Sequence, residues 1–569
     1  MTYLKILLLL LSFNFTSQVF SKEPDFSKEA RIEKGSNRAN IYVLEKEKLA
    51  KMASAGRKHA LSYPVDITGL QLPDTFIDRI LERKVSGIKG PVVNKLIDLF
   101  APWDSVDGLY KWLGLVKHSD SGKDLVSSNH SPYLLPSLAD LDSHYLGATK
   151  LKIDGLDSKA LTFSCAACHV GELFGTPIVG LTNRNPRAFD FIEMGVKAKP
   201  LLRPSVAAAA VGLNQSERQM IEKTFESVHH IKTKSKLHPS LDTSLAIVGL
   251  SLSKRKEDEY ATRDRRVARR PRPNPLNYHS VDSKPAVWWN VKYKTRWLSD
   301  GSVVSGNPIF TNILWNEIGR GSDLKELEAW LEDNSSKVEQ LTSLVFSTEA
   351  PRYTDFFDFS KDDIKLAEKG RLIYEERCAK CHGVYLKKWQ QIPKLNWKEH
   401  NTSDLVKTLK VIYHEKTPVI DVGTDPNRYQ GMKYFADDLN RLKISKSFNT
   451  AVEPQKGYVP PPLVGIWARW PYFHNNSVSS LCEVLTPASK RLKSYLAVDP
   501  IDKEKDFDSE CNGYPRPEEL KNRRNAIKYT SNKKGLLNIG HDERILIKDG
   551  KMLISPFERR ALIKFLQTL

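Results

Sequence analysis

The chain carries the pentad Cys-x-x-Cys-His twice, as "CAACH" from Cys165 to His169 and as "CAKCH" from Cys378 to His382. Two thiols separated by two residues can add to the two vinyl groups of one haem, and the adjacent histidine then lies beneath the iron as an axial ligand. The spacing predicts two covalently bound c-type haems. Cys165, Cys168 and His169 would hold one, and Cys378, Cys381 and His382 the other. Two thiol pairs are also the donor set of a zinc site, and a single pair can be a redox dithiol. Neither alternative accounts for a histidine after both pairs.

The start of the chain says where such chemistry would run. One lysine precedes an apolar run from Ile6 to Phe13, followed by polar residues and Val19-Phe20-Ser21. That is the pattern of a secretory signal peptide cleaved after Ser21. A membrane span needs about 20 apolar residues, which this run does not reach, so no stable membrane insertion is expected. Covalent haem attachment outside the cytoplasm makes the periplasm the expected location. That compartment permits disulfides, and Cys482 and Cys511 are left to form one; two unpaired thiols is the alternative.

With 569 residues the chain suggests more than one domain, and its net charge is +19. Part of that charge lies in "SKRKEDEYATRDRRVARRPRPNPLN", from Ser253 to Asn277. Export argues against nucleic acid as its partner. The stretch reads as a solvated surface loop, with an anionic partner or substrate as the alternative.

Local signals then frame the second pentad. Ser360 precedes an acidic first turn, and Ile364, Ala367, Leu372 and Ile373 make a broken apolar stripe on a helix that runs into Cys378. Near the end Ser555, Pro556 and Glu558 spell a capping box with proline at the first helical position. A helix before the pentad and another closing the segment give the arrangement of a cytochrome c fold. The fold class is therefore mainly α, with two cytochrome c-type haem domains, long loops and an N-terminal extension. The expected division is 1–21 signal peptide, 22–130 extension, 131–345 first haem domain and 355–569 second haem domain. Glycine-rich "GELFGTPIVGLTN" after the first pentad reads as irregular, and "SDLKELEAWLED" from Ser322 to Asp333 as the helix closing the first domain.

The order of motifs resembles the di-haem cytochrome c peroxidase superfamily, which includes the methylamine-utilisation di-haem enzyme and the rubber oxygenases. The residues that carry the likeness are the two pentad regions, "TRWLSDGSV", "VGTDP" from Val422, "PPPLVGIWARWPYFHNNSV" from Pro460 and "NIGHDER". Overall length, "GLTN" and "GTDP" look closer to the rubber-oxygenase branch. The resemblance implies a reactive first haem and an electron-transferring second haem. The family commonly has tryptophan directly before Asp-Gly; here Ser299 stands there, and Trp297 is the nearest aromatic for a relay. His541 is the first choice as distal ligand of the second haem, followed by His474 and then Tyr458. Met432 reads as filler.

A peroxidatic site needs an acid–base group near the bound peroxide, and Glu317 is the candidate. Phe310 and Ile309 would instead wall an apolar distal pocket, which favours an oxygenase. The resulting expectation is a periplasmic oxidoreductase that reduces hydrogen peroxide at one haem. Its electrons would come through the other haem from a small electron-donor protein or small-molecule donor. A dioxygenase cleaving an apolar substrate and a non-catalytic electron carrier are the alternatives. A structural calcium is not derivable from these residues.

Overall fold

The computed structural model describes residues 44–81, 95, 103–304, 306–521, 523 and 525–569, folded as a mixed, mainly helical structure. The signal peptide expected over 1–21 lies outside the described residues. Among these residues no helix is long and apolar enough to cross a membrane.

Helix α1 (Lys46–Ser62) turns Ala53, Ala60 and Leu61 inward against the helix Ser335–Ser347. The expected extension thus contributes to the first core rather than only wrapping it. A small antiparallel sheet, ordered β1-β3-β2, follows from β1 (Leu72–Pro73), β2 (Ala148–Lys152) and β3 (Lys159–Phe163). After its exposed first residue β3 is buried throughout, and it hands the chain through Ser164 into the first pentad.

The pentad occupies a one-turn helix, α2 (Ala166–His169). The next residues are not irregular. Strands β4 (Val170–Leu173) and β5 (Thr176–Val179) form an antiparallel hairpin. Its turn is Phe174-Gly175, with φ of 52° and 78°, the left-handed pair that matches strand twist in a two-residue loop. Glycine adopts this freely and phenylalanine does not. Packing of the half-buried ring offsets the strain: Phe174 lies among Phe356, Phe357, Phe507 and Trp470, with centroids between 5.4 and 6.3 Å. The hairpin tip of the first pentad is thereby embedded in the core around the second.

Helices α3 (Pro308–Gly319), α4 (Leu324–Asp333) and α5 (Ser335–Ser347) come next. Asp323, not Ser322, caps α4, its carboxylate accepting from the backbone of Lys325 and Glu326; the Ser322 hydroxyl donates to Glu317 instead. The first core does not close at Asp333, because α5 continues and packs on α1. The basic stretch 253–277 also departs from a solvated loop. It contains the helix Arg265–Arg269, and Arg255 is fully buried. The Arg255 guanidinium donates to Ser322 O at 2.9 Å and Ile318 O at 3.2 Å, where the carbonyl end of α3 attracts a cation.

Helix α6 (Lys361–Arg377) starts at a capping box of Ser360 and Asp363 and leads into α7 (Ala379–His382), the one-turn helix of the second pentad. Its buried face is Ile364, Ala367, Gly370 and Tyr374. Leu372 falls off that three-to-four spacing and is 57 % exposed. Strands β6 (Val384–Lys387) and β7 (Thr408–Ile412) pair after the pentad. Helix α8 (Lys433–Arg441) crosses the expected domain boundary. It buries Phe435 and Leu439 in the first core, where Phe448 also stacks on Phe310 at 4.3 Å. Helix α9 (Pro556–Gln567) starts at a capping box of Ser555 and Glu558 and packs on α6. The contact is so close that a Cβ on Gly370 would lie 1.9 Å from the Ala561 carbonyl oxygen. Only glycine allows it.

Candidate haem-binding site

The two pentads are built alike. Each occupies a single helical turn followed by a strand, and the i, i+3 spacing of its cysteines sets both thiols on one side of that turn. Cys482 and Cys511 form a disulfide, and none of the four pentad cysteines is bridged to another cysteine. Burial pushes Cys165 up to about 11 and Cys378 up to about 12, and raises Cys168 and Cys381 as well. The two pairs do not converge into a zinc site. Among the described residues no three His, Cys, Asp or Glu side chains cluster as a metal donor set.

Each pentad histidine is oriented by a backbone carbonyl. His169 Nδ1–H donates to Ala286 O at 3.0 Å, and His382 Nδ1–H to Pro461 O at 2.8 Å. Burial brings both rings down to about 4, so at neutral pH they are uncharged. The carbonyl fixes the tautomer and leaves the Nε2 lone pair for a metal.

All six pentad residues line one continuous cavity of ≈ 520 Å³. Opposite His382 stands His541, with ring centroids 6.3 Å apart. Two imidazoles bound through Nε2 to one metal, with bonds of about 2 Å, have centroids about 6 Å apart. His541 holds a left-handed backbone, φ 57°, and its buried Nδ1 has no partner. Burial, with His382 second, brings it down to about 3. An unpartnered imidazole in strained backbone suits a ligand. The residues present therefore fit a haem at the second pentad.

The other candidates are engaged elsewhere. The His474 ring stacks on Tyr458 at 4.0 Å and lines the cavity, and the Tyr458 hydroxyl donates to Asp425 O. Met432 is fully buried in the first core. Trp297 lines the cavity, its ring edge against Phe346 at 5.9 Å.

Beside the first pentad Trp288 packs against His169 at 5.7 Å. Ile309, Ile313, Leu341 and Val345 add apolar lining to the cavity; Phe310 turns into the core instead. Glu317 is fully buried and does not line the cavity. Its carboxylate accepts from the hydroxyls of Tyr63, Thr68 and Ser322 and from Gly69 N–H, with Arg320 at 3.5 Å. Tyr63 and Arg320, stacked at 4.2 Å, are the members of that group that reach the cavity. Glu317, the expected acid–base group, thus stands one residue back from the cavity, behind Tyr63 and Arg320. Sequence reasoning also passed over Lys284, Lys294 and Arg469, which line the cavity, and the Ala286 and Pro461 carbonyls. A backbone acceptor has no residue-type signal, and lysines read as surface.

A family model described as "RoxA-like, cytochrome c-like" matches residues 457–496, a segment that contains Pro461, Arg469 and His474. The chain is 27 % identical over 256 residues to the uncharacterized protein y4iJ of Sinorhizobium fredii, covering 37 % of this chain and 40 % of that protein. It is 26 % identical over 155 residues to the uncharacterized protein y4iM of the same organism, covering 22 % and 30 % respectively. The matched segments thus span less than half the length of these relatives.

Proposed function

We propose that the protein is a di-haem c-type oxidoreductase in which the haem held by His382 and His541 carries electrons and the haem held by His169 activates dioxygen on an apolar substrate. The observation that carries this reading is the difference between the two pentad histidines: His382 faces the imidazole of His541 at 6.3 Å, whereas the ring packed against His169 is Trp288 at 5.7 Å. The haem group supplies the redox and oxygen chemistry when bound. The chain's own residues hold and orient it through His169, His382 and the carbonyls of Ala286 and Pro461. Ile309, Ile313, Leu341 and Val345 exclude water and favour an apolar substrate.

The RoxA-like match and the resemblance to the rubber-oxygenase branch support the same reading. Peroxide reduction asks for a proton-moving group at the cavity, and Glu317 reaches it only through Tyr63 and Arg320. Electron supply by a small donor protein or small molecule, and action in the periplasm, belong to the same proposal.

The test is carbon monoxide uptake by the reduced protein, with the haem count from pyridine haemochrome on the same sample. Two haems and one carbon monoxide per chain are expected. Two haems with none bound would leave an electron carrier, and two bound would remove His541 as a ligand. Rapid oxidation of a donor by hydrogen peroxide, with no oxygen uptake on apolar substrates, would replace the oxygenase with a peroxidase.

A further inference from the structure

Lys284, Lys294 and Arg469 all line the cavity, and burial lowers the charge affinity of each. Lys284 Nζ donates to Arg469 O at 3.0 Å and Pro471 O at 2.6 Å, and its backbone N–H to His474 O at 2.8 Å. Arg469 Nη1 donates to Pro462 O at 3.1 Å, while its buried Nε has no partner. The field of Arg469 acts on both lysines and on His382. Among the described residues no carboxylate lies within ion-pairing distance of any of the three. The acid that acts on Lys294, Asp300, is drawn towards Arg428 at 3.6 Å.

Buried cations that repel one another and lack anions are costly to keep. Their position says which anion relieves that cost. Lys284 is two residues from Ala286, whose carbonyl orients His169, and Arg469 is anchored on Pro462, beside the carbonyl that orients His382. The cluster therefore joins the anchor segments of the two pentads.

We propose that Lys284, Lys294 and Arg469 are a shared cationic seat for the carboxylate side chains of the two haems. It rests on the di-haem reading above. Arginine takes a carboxylate through two parallel N–H groups and lysine takes it as a point charge, and the unused Nε of Arg469 leaves such an edge open. Positive charge beside a haem favours its reduced form, so a shared seat ties both potentials to the same three residues.

The experiment is a spectroelectrochemical titration of the holoprotein and its Arg469→Gln, Lys294→Met and Lys294→Arg variants, each with its haem count. The parent and the variants are expected to hold two haems. Both midpoints fall in Arg469→Gln, at least one falls in Lys294→Met, and Lys294→Arg stays at the parent value. Two haems with unmoved midpoints in both charge-removing variants would overturn the shared seat and leave the di-haem reading intact. Fewer than two haems in the parent would overturn the di-haem reading itself. If Arg469→Gln does not accumulate, Lys294→Met decides alone, and an unmoved pair of midpoints overturns the proposal.

Discussion

Replacing His541 with glycine separates a ligand from a structural residue. His541 sits at φ 57°, a conformation that costs a residue with a side chain about 1–2 kcal/mol and glycine almost nothing. The opposing loss is a buried ring that meets Phe473 at 5.9 Å and His382 at 6.3 Å, plus about 1 kcal/mol of extra chain entropy for glycine. These contributions are of similar size, so without haem His541→Gly is expected to change unfolding stability by no more than about 1 kcal/mol. With haem the change is spectroscopic and complete. Electron paramagnetic resonance of the oxidised protein loses its low-spin signal, carbon monoxide uptake rises from one to two per chain, and added imidazole restores both parent values. A His541→Gly protein that keeps its low-spin signal at full intensity refutes the facing-pair reasoning. Loss of that signal in His474→Phe, which retains the stack on Tyr458, refutes it equally.

Gly370→Ala places a methyl group 1.9 Å from the Ala561 carbonyl oxygen; the overlap outweighs alanine's helix preference, and thermal unfolding should show a net loss of about 1–3 kcal/mol. Removing the Cys482–Cys511 bridge, which spans 29 residues, should cost about 2–4 kcal/mol in a denaturant titration, with no effect under reducing conditions. Burial brings His238 down to about 4, so the stability it supports is complete above its unfolded value near 6.5 and is lost as pH falls towards 4. The parent protein should lose about 2 kcal/mol more than His238→Asn across that window, with partial water access already allowed for. Glu317→Gln turns an amide towards hydroxyl and backbone donors and should destabilise by about 1–3 kcal/mol without altering carbon monoxide uptake. Lost turnover at parental stability would instead restore Glu317 as a proton-transfer group.

What the sequence reveals depends on how local the cause is. The capping boxes at Ser360 and Ser555 need only side chains within three residues of each other, and both are present. The pentads stand out because residue type and spacing recur together, and both fold as one helical turn followed by a strand. The hairpin after His169 was hidden because glycine-rich composition also describes a loop. Only the left-handed pair at Phe174-Gly175 and the aromatic nest around Phe174 distinguish the two. Helix α8 is plainly amphipathic, but an apolar face does not say which core it covers, and it returns to the first. The same limit hides Lys294 and Arg469: nothing in a basic residue's neighbours along the chain tells that it points into a cavity.

The carbonyl acceptors of the pentad histidines carry a consequence for the order in which the molecule is made. Ala286 follows His169 by 117 residues, and Pro461 follows His382 by 79. When either pentad first leaves the ribosome, the atom that will aim its imidazole has not yet been synthesised. The thiols lie within four residues of each other and are available as soon as the pentad is exposed, but the adjacent ring gains its fixed direction only when a much later segment packs against it. Under the di-haem reading proposed above, covalent capture and ligand alignment would be separate events in the maturation of this chain. A chain cut short between Cys168 and Ala286 would retain the chemistry for the first event while lacking the means for the second.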